Sequence, residues 1–136
     1  MFLDLPIKSL TVLVVEDESF LLEYVRLVLS RYGFNVLTAQ AGDEGWAIFR
    51  KNRDSIRLVL TDIVMPGSFD GFELCERIAQ VSGDIPTIFM TGALAEDDPR
   101  AEELTRQNRL LRKPFYPDQL LEIVRDNANI SASSAS

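Results

Sequence analysis

Five short apolar runs, residues 11–15, 35–39, 57–61, 86–90 and 109–111, alternate with segments of helical length that carry their large apolar residues on one face. Runs this apolar suit strands buried on both sides, and such strands are parallel strands covered by helices on each face of a sheet. The pattern therefore predicts an α/β fold, a single doubly wound five-stranded parallel sheet. At 136 residues the chain has room for one such domain and no second one. We expect a lead-in over 1–9, the domain over 10–126 and a disordered tail over 127–136, whose last six residues are only Ser and Ala.

Local signals place the helices. Ser19 is positioned to cap a helix whose Leu21, Val25, Val28, Leu29 and Tyr32 share one face, and Gly33 to end it. Gly42 and Asp43 lead into a helix carrying Trp46 and Phe49. Asp70 is expected to cap a helix burying Phe72, Cys75, Ile78 and Ala79, with Glu73 and Arg77 as an i,i+4 pair. Pro117 opens the last helix, with Leu120, Leu121 and Val124 inward. Between the fourth and fifth runs, residues 96–108 offer only Leu104 as a large apolar anchor, so the helix there is expected to be short or mobile.

Composition excludes several chemistries. There is no histidine and one cysteine, Cys75, so a Cys/His zinc site, a histidine base, a Ser-His-Asp triad and an intrachain disulfide are ruled out. Cys75 and Trp46 read as packing residues. A net charge of −7 without a run of Lys and Arg disfavours nucleic acid as a partner. No stretch reaches membrane-spanning length, and a reducing cytoplasm is the expected setting.

The remaining chemistry lies at the carboxyl ends of the runs, where open parallel sheets bind ligands. Glu16 and Asp17 follow the first run, Asp62 the third, Thr91 the fourth and Lys113 the fifth. Alone, each has an ordinary explanation: a solvated loop end, a turn, a surface lysine. Together they meet at one edge if the strands form as predicted. Three carboxylates about 4 Å apart repel by several kcal/mol per pair even at an effective dielectric near 20, so the cluster needs a cation. Oxygen-only ligands point to Mg²⁺, which also accepts phosphate oxygens, and a carboxylate can take a phosphoryl group as an acyl phosphate.

The motifs Val14-Val15-Glu16-Asp17-Glu18, Asp62-Ile63-Val64-Met65-Pro66 with Asp70-Gly71-Phe72-Glu73-Leu74, Met90-Thr91-Gly92 and Lys113-Pro114-Phe115 resemble the response regulator receiver family of two-component signalling, across roughly residues 10–126. The resemblance implies the flavodoxin-like strand order 2-1-3-4-5 and phosphorylation of Asp62. It implies Mg²⁺ held by Glu16, Asp17, Asp62 and the Val64 carbonyl, Thr91 as a switch hydroxyl, Lys113 against the phosphoryl group, and a cis bond before Pro114. It also implies a histidine kinase or histidine phosphotransfer protein as donor, a downstream protein partner, and a domain that catalyses only its own phosphorylation and dephosphorylation; with the charge and the lack of a spanning stretch, no nucleic acid or membrane partner is expected, and a monomer or weak dimer is. A free-standing regulator is preferred to the receiver of a hybrid kinase.

Two departures stand out. Leu110 occupies the position where many receivers carry a switching aromatic, and residues 105–108 replace the usual small-residue turn. Val64 and Ala93 also offer no hydrogen bond to a hydrolytic water. Three rivals share parts of the pattern. A flavodoxin-like carrier needs a Ser/Thr/Gly loop where Glu16 and Asp17 stand, a Mg²⁺-dependent aspartyl phosphohydrolase needs an acid where Val64 stands, and a pseudo-receiver would lack the intact Asp62, Thr91 and Lys113.

Overall fold

The computed structural model describes residues 10–67, 69–94 and 97–135, with side chains described to residue 128. The expected lead-in and Glu96 lie outside the described residues. Strands and helices alternate without exception: β1 (Thr11–Val15), α1 (Ser19–Arg31), β2 (Asn35–Ala39), α2 (Gly42–Lys51), β3 (Ile56–Asp62), α3 (Gly71–Val81), β4 (Thr87–Thr91), α4 (Pro99–Arg106), β5 (Leu110–Arg112) and α5 (Pro117–Ala135). The strands form one parallel sheet in the order β2-β1-β3-β4-β5, as expected.

The two-residue period of a strand divides the core into layers. Val12 and Val14 of β1 join Leu58, Leu60, Ile88 and Met90 under Leu22, Val25 and Leu29 of α1 and Leu120 and Val124 of α5. On the other face, Leu13, Val15 and Val59 meet Phe49 of α2 and Leu74 and Ile78 of α3. Each such side chain contributes roughly 1.5–3 kcal/mol on burial, so both layers hold the sheet in register. A smaller cluster of Ile63, Phe89 and Leu104 seats α4. The chain leaves β1 toward β2 on one side and reaches β3 on the other, so the switch point of the sheet lies at the carboxyl ends of β1 and β3.

Several local expectations change for physical reasons. β4 begins at Thr87, one residue later than expected, because Pro86 has no N–H and enters only through its carbonyl, which accepts from the Val59 N–H at 3.0 Å. Glu18, not Ser19, is the N-cap of α1, and its backbone N–H donates to Glu16 Oε2 at 3.0 Å. Asp70 caps α3 in a full capping box with Glu73. That engagement replaces the expected Glu73–Arg77 pair, and the Arg77 guanidinium lies 4.7 Å from the Phe69 ring centroid.

Helix α4 is short, eight residues, capped by Asp98 with Ala101 and Leu104 buried. Helix α5 runs from Pro117 to Ala135 in its backbone. Asn127 anchors this helix: it is buried, and its Nδ2 donates to the carbonyls of Asn108 at 3.0 Å and Ile123 at 2.9 Å. Ala128 then packs into the core beside it. Asn108 itself holds a left-handed φ of 58°, which Asn tolerates better than most residues, and so closes the turn that lacks small residues.

The start of α3 is built on a close approach. The Gly71 N–H donates to the Ile63 carbonyl at 2.9 Å, and a Cβ on Gly71 would lie 2.2 Å from the Asp62 carbonyl oxygen. Backbone cannot yield there as a flexible side chain would. Gly71→Ala is expected to lower stability by about 3 kcal/mol in denaturant unfolding. Gly83→Ala, which would meet only the Ala79 carbonyl at 3.4 Å, should stay close to the parent.

Candidate functional site

Five of the sequence-predicted residues end strands on one edge of the sheet. Glu16 and Asp17 follow β1, Asp62 and Thr91 are the last residues of β3 and β4, and Lys113 follows β5. Glu16 is fully buried and Asp62 and Thr91 nearly so, whereas Asp17 is exposed. Lys113 reaches between two acids, with its Nζ 2.8 Å from Asp62 Oδ2 and 2.8 Å from Glu16 Oε1. It donates a directed hydrogen bond to Asp62. Toward Glu16 the contact is a close ion pair without hydrogen-bond alignment, which leaves Glu16 Oε1 buried and without a directed donor.

One carboxylate oxygen each from Glu16, Asp17 and Asp62 lie within 4.8 Å of one another. Three acids and one ammonium leave the cluster negative. Burial pushes the Glu16 carboxyl up to about 6, against the pull of Lys113 and the Glu18 N–H, and the Asp62 charge adds to the rise. For Lys113, burial acts to lower the ammonium's pKa, but its contacts with Asp62 and Glu16 outweigh it and raise it. The surplus negative charge, with Glu16 Oε1 ion-paired but lacking a directed hydrogen bond, is what a hard divalent cation would satisfy.

The sign of the Glu16 shift gives a test. A carboxyl that holds its proton more tightly when folded weakens the fold as pH rises from 4.5 through about 6. Without divalent ions, Glu16→Gln should therefore be more stable than the parent at pH 7, by up to about 2 kcal/mol. That advantage should vanish near pH 4.5, and thermal melts in chelator across this range check it.

Thr91 stands where expected, but its hydroxyl oxygen accepts the N–H groups of Ala93 at 3.1 Å and Leu94 at 3.0 Å, which ties it to the loop leaving β4. Leu110 packs against the Ile63, Phe89 and Leu104 cluster and presents no ring. The Lys113-Pro114 bond is cis. Val64 is largely exposed beside the acids. Three features escaped sequence reasoning. The Glu18 N–H supports Glu16, Arg112 Nη1 donates to the Leu94 carbonyl at 2.9 Å, and Phe20 is 88% exposed. Phe20 could have been noticed, since it falls off the apolar face of α1; the other two depend on tertiary placement.

The sequence matches the family model of the response regulator receiver domain over residues 12–125. The chain belongs to the response regulator receiver family. The transcriptional regulatory protein GlrR of Escherichia coli strain K12 is 31% identical over 125 residues, which cover 92% of this chain and 28% of that protein. A response regulator receiver domain protein from Clostridium thermocellum superposes with a TM-score of 0.74 at 28% identity, covering 93% of this chain and 96% of that one. The receiver domain of the hybrid histidine kinase CckA gives a TM-score of 0.71 at 28% identity, covering 87% and 98%.

This chain spans about half the length, or less, of the curated relatives it matches. It is a receiver domain of two-component signalling, a class that works with histidine kinases and downstream effectors. In this receiver, Glu16, Asp17 and Asp62 form an acidic cluster able to hold a metal ion. No helix among the described residues is long and apolar enough to cross a membrane.

Proposed function

We propose that this receiver accepts a phosphoryl group on Asp62, with Mg²⁺ held by Glu16, Asp17, Asp62 and the Val64 carbonyl. The observation that carries this reading is the placement of Lys113 Nζ 2.8 Å from both Asp62 and Glu16, beside a third acid. When bound, Mg²⁺ supplies charge neutralisation for the acids and for the incoming phosphate oxygens. An Asp62 oxygen attacks phosphorus in line with the bond to the donor, that bond breaks, and the electron pair leaves with the donor's nitrogen or oxygen. Lys113 holds a phosphoryl oxygen through its ammonium, and Thr91 offers its hydroxyl proton to another. With the ion pair spanning β3 and the residue after β5, the acceptor is oriented before any donor arrives.

The donor in this reading is a histidine kinase or histidine phosphotransfer protein in the cytoplasm. Phe20 beside Lys113 and Phe115, together with Val64 and Tyr116, gives the site an exposed apolar rim for it. Output passes by protein contact, and chemistry beyond self-phosphorylation and self-dephosphorylation is not part of the reading.

The test is intact mass after incubation with a small-molecule phosphodonor, with and without Mg²⁺. One phosphate per chain is expected with Mg²⁺ and none with chelator. Continuous release of phosphate without a transient adduct would support an aspartyl phosphohydrolase in its place.

A further inference from the structure

The cations at Arg50, Lys51, Arg53 and Arg57 are not a run in the sequence, yet they converge at the turn from α2 into β3. Residues 50–57 hold four cations and one acid, a net +3 in a chain whose total is −7. Arg50, Lys51 and Arg53 line a cavity of about 430 Å³. A neighbouring cavity of about 370 Å³ shares Arg53 and Asp54 with it and adds Arg57, together with Asp84.

The side chains of Lys51, Arg53 and Arg57 make no hydrogen bond or ion pair among the described residues. Arg26, Arg100, Arg106 and Lys113, by contrast, are each matched to an acid. Arg50 and Lys51 suit the negative end of α2, which gives them a structural role. Arg53 and Arg57 lie beyond the helix and have none. The turn is also ordered, because Ser55 and Ile56 both donate backbone N–H groups to the Asn52 carbonyl and Asn52 Nδ2 donates to Ile48. Cations fixed on an ordered turn meet a partner with less loss of entropy than cations on a loose one.

We propose that this turn is a docking surface for a short acidic segment of a partner protein. Its position keeps it separate from the phosphoacceptor, since β3 rises about 3.3 Å per residue and Arg57 and Asp62 stand at opposite ends of it. The chain's charge favours a short acidic peptide over nucleic acid. A long polyanion reaches past the patch onto a body that is otherwise strongly negative, whereas a short segment ends within it. The inference does not depend on phosphorylation of Asp62.

Trp46, the single tryptophan, reports on the surface, because the Arg50 guanidinium lies 5.4 Å from its ring centroid. Titration of the intact chain with an oligo-glutamate peptide at low ionic strength should give a saturable change in Trp46 emission that added salt weakens. The double change Arg53→Glu with Arg57→Glu should weaken that binding at least tenfold while the melting temperature stays near that of the parent. Three results would overturn the proposal: no saturable change, equal binding by the double variant, or tighter binding of a single-stranded oligonucleotide or of inorganic phosphate than of the peptide.

Discussion

Asp62→Asn will gain no phosphate from a phosphodonor under conditions that load the parent chain, and it will do so while remaining folded. The amide matches the carboxylate in shape but is not a nucleophile toward phosphorus, so the acceptor disappears without a cavity. Lys113 keeps Glu16 as a counter-charge at 2.8 Å, so the pocket does not hold an unpaired ammonium. The same change removes one charge from the three-acid cluster and should weaken Mg²⁺ binding at least tenfold. Intact mass and a Mg²⁺ titration read both effects. Uptake of a phosphate by the variant at the parent's rate would move the acceptor elsewhere.

Lys113→Met should have the next largest effect, because it keeps the stem's bulk and removes the ammonium that pairs with both Glu16 and Asp62. Breaking a buried ion pair from one side costs about 3–5 kcal/mol. Lys113 is 21% exposed and Glu16 can take up a proton, so about 2 kcal/mol is the expected loss here. The sign with pH follows from the acid left behind. The deficit should grow with pH as Glu16 ionises, at a higher pH than in the parent because the ammonium that lowers its pKa is gone, and shrink at lower pH, where Glu16 is neutral. Mg²⁺ should restore part of the lost stability. Phosphorylation should slow by about 100-fold or more, the usual consequence of removing a donor aimed at developing charge. Chelator and Mg²⁺ melts beside the time course of mass gain separate these effects.

The sheet was legible because burial on both faces leaves a strand almost no polar positions. β1 shows this, with Thr11–Val15 buried throughout. The site was legible for a related reason. In a parallel sheet the residues that follow successive strands must share an edge, so Glu16, Asp17, Asp62, Thr91 and Lys113 could be grouped before any distance was known.

What escaped depended on contacts distant in sequence or on competition between neighbours. Ser19 has the chemistry of a cap, yet the Glu18 N–H turns to Glu16 Oε2 and moves the start of α1. Asn127 of α5 donates to the Asn108 carbonyl, a contact across 19 positions that no local periodicity announces. Glu73 and Arg77 had the spacing of a pair, but the capping box and the Phe69 ring claimed them separately. The basic turn looked scattered because helix end, loop and strand start each contribute only one or two of its cations.

The most direct test is chemical trapping. Borohydride reduces an acyl phosphate on aspartate to homoserine, so the chain can be loaded with phosphodonor and Mg²⁺, reduced, digested and sequenced by mass spectrometry. Homoserine at position 62, absent when Mg²⁺ is chelated, is the expected result. Conversion at another acid, or an adduct at position 62 that forms equally well in chelator, would contradict the assembly of Glu16, Asp17, Asp62 and Lys113 into one metal-dependent acceptor site.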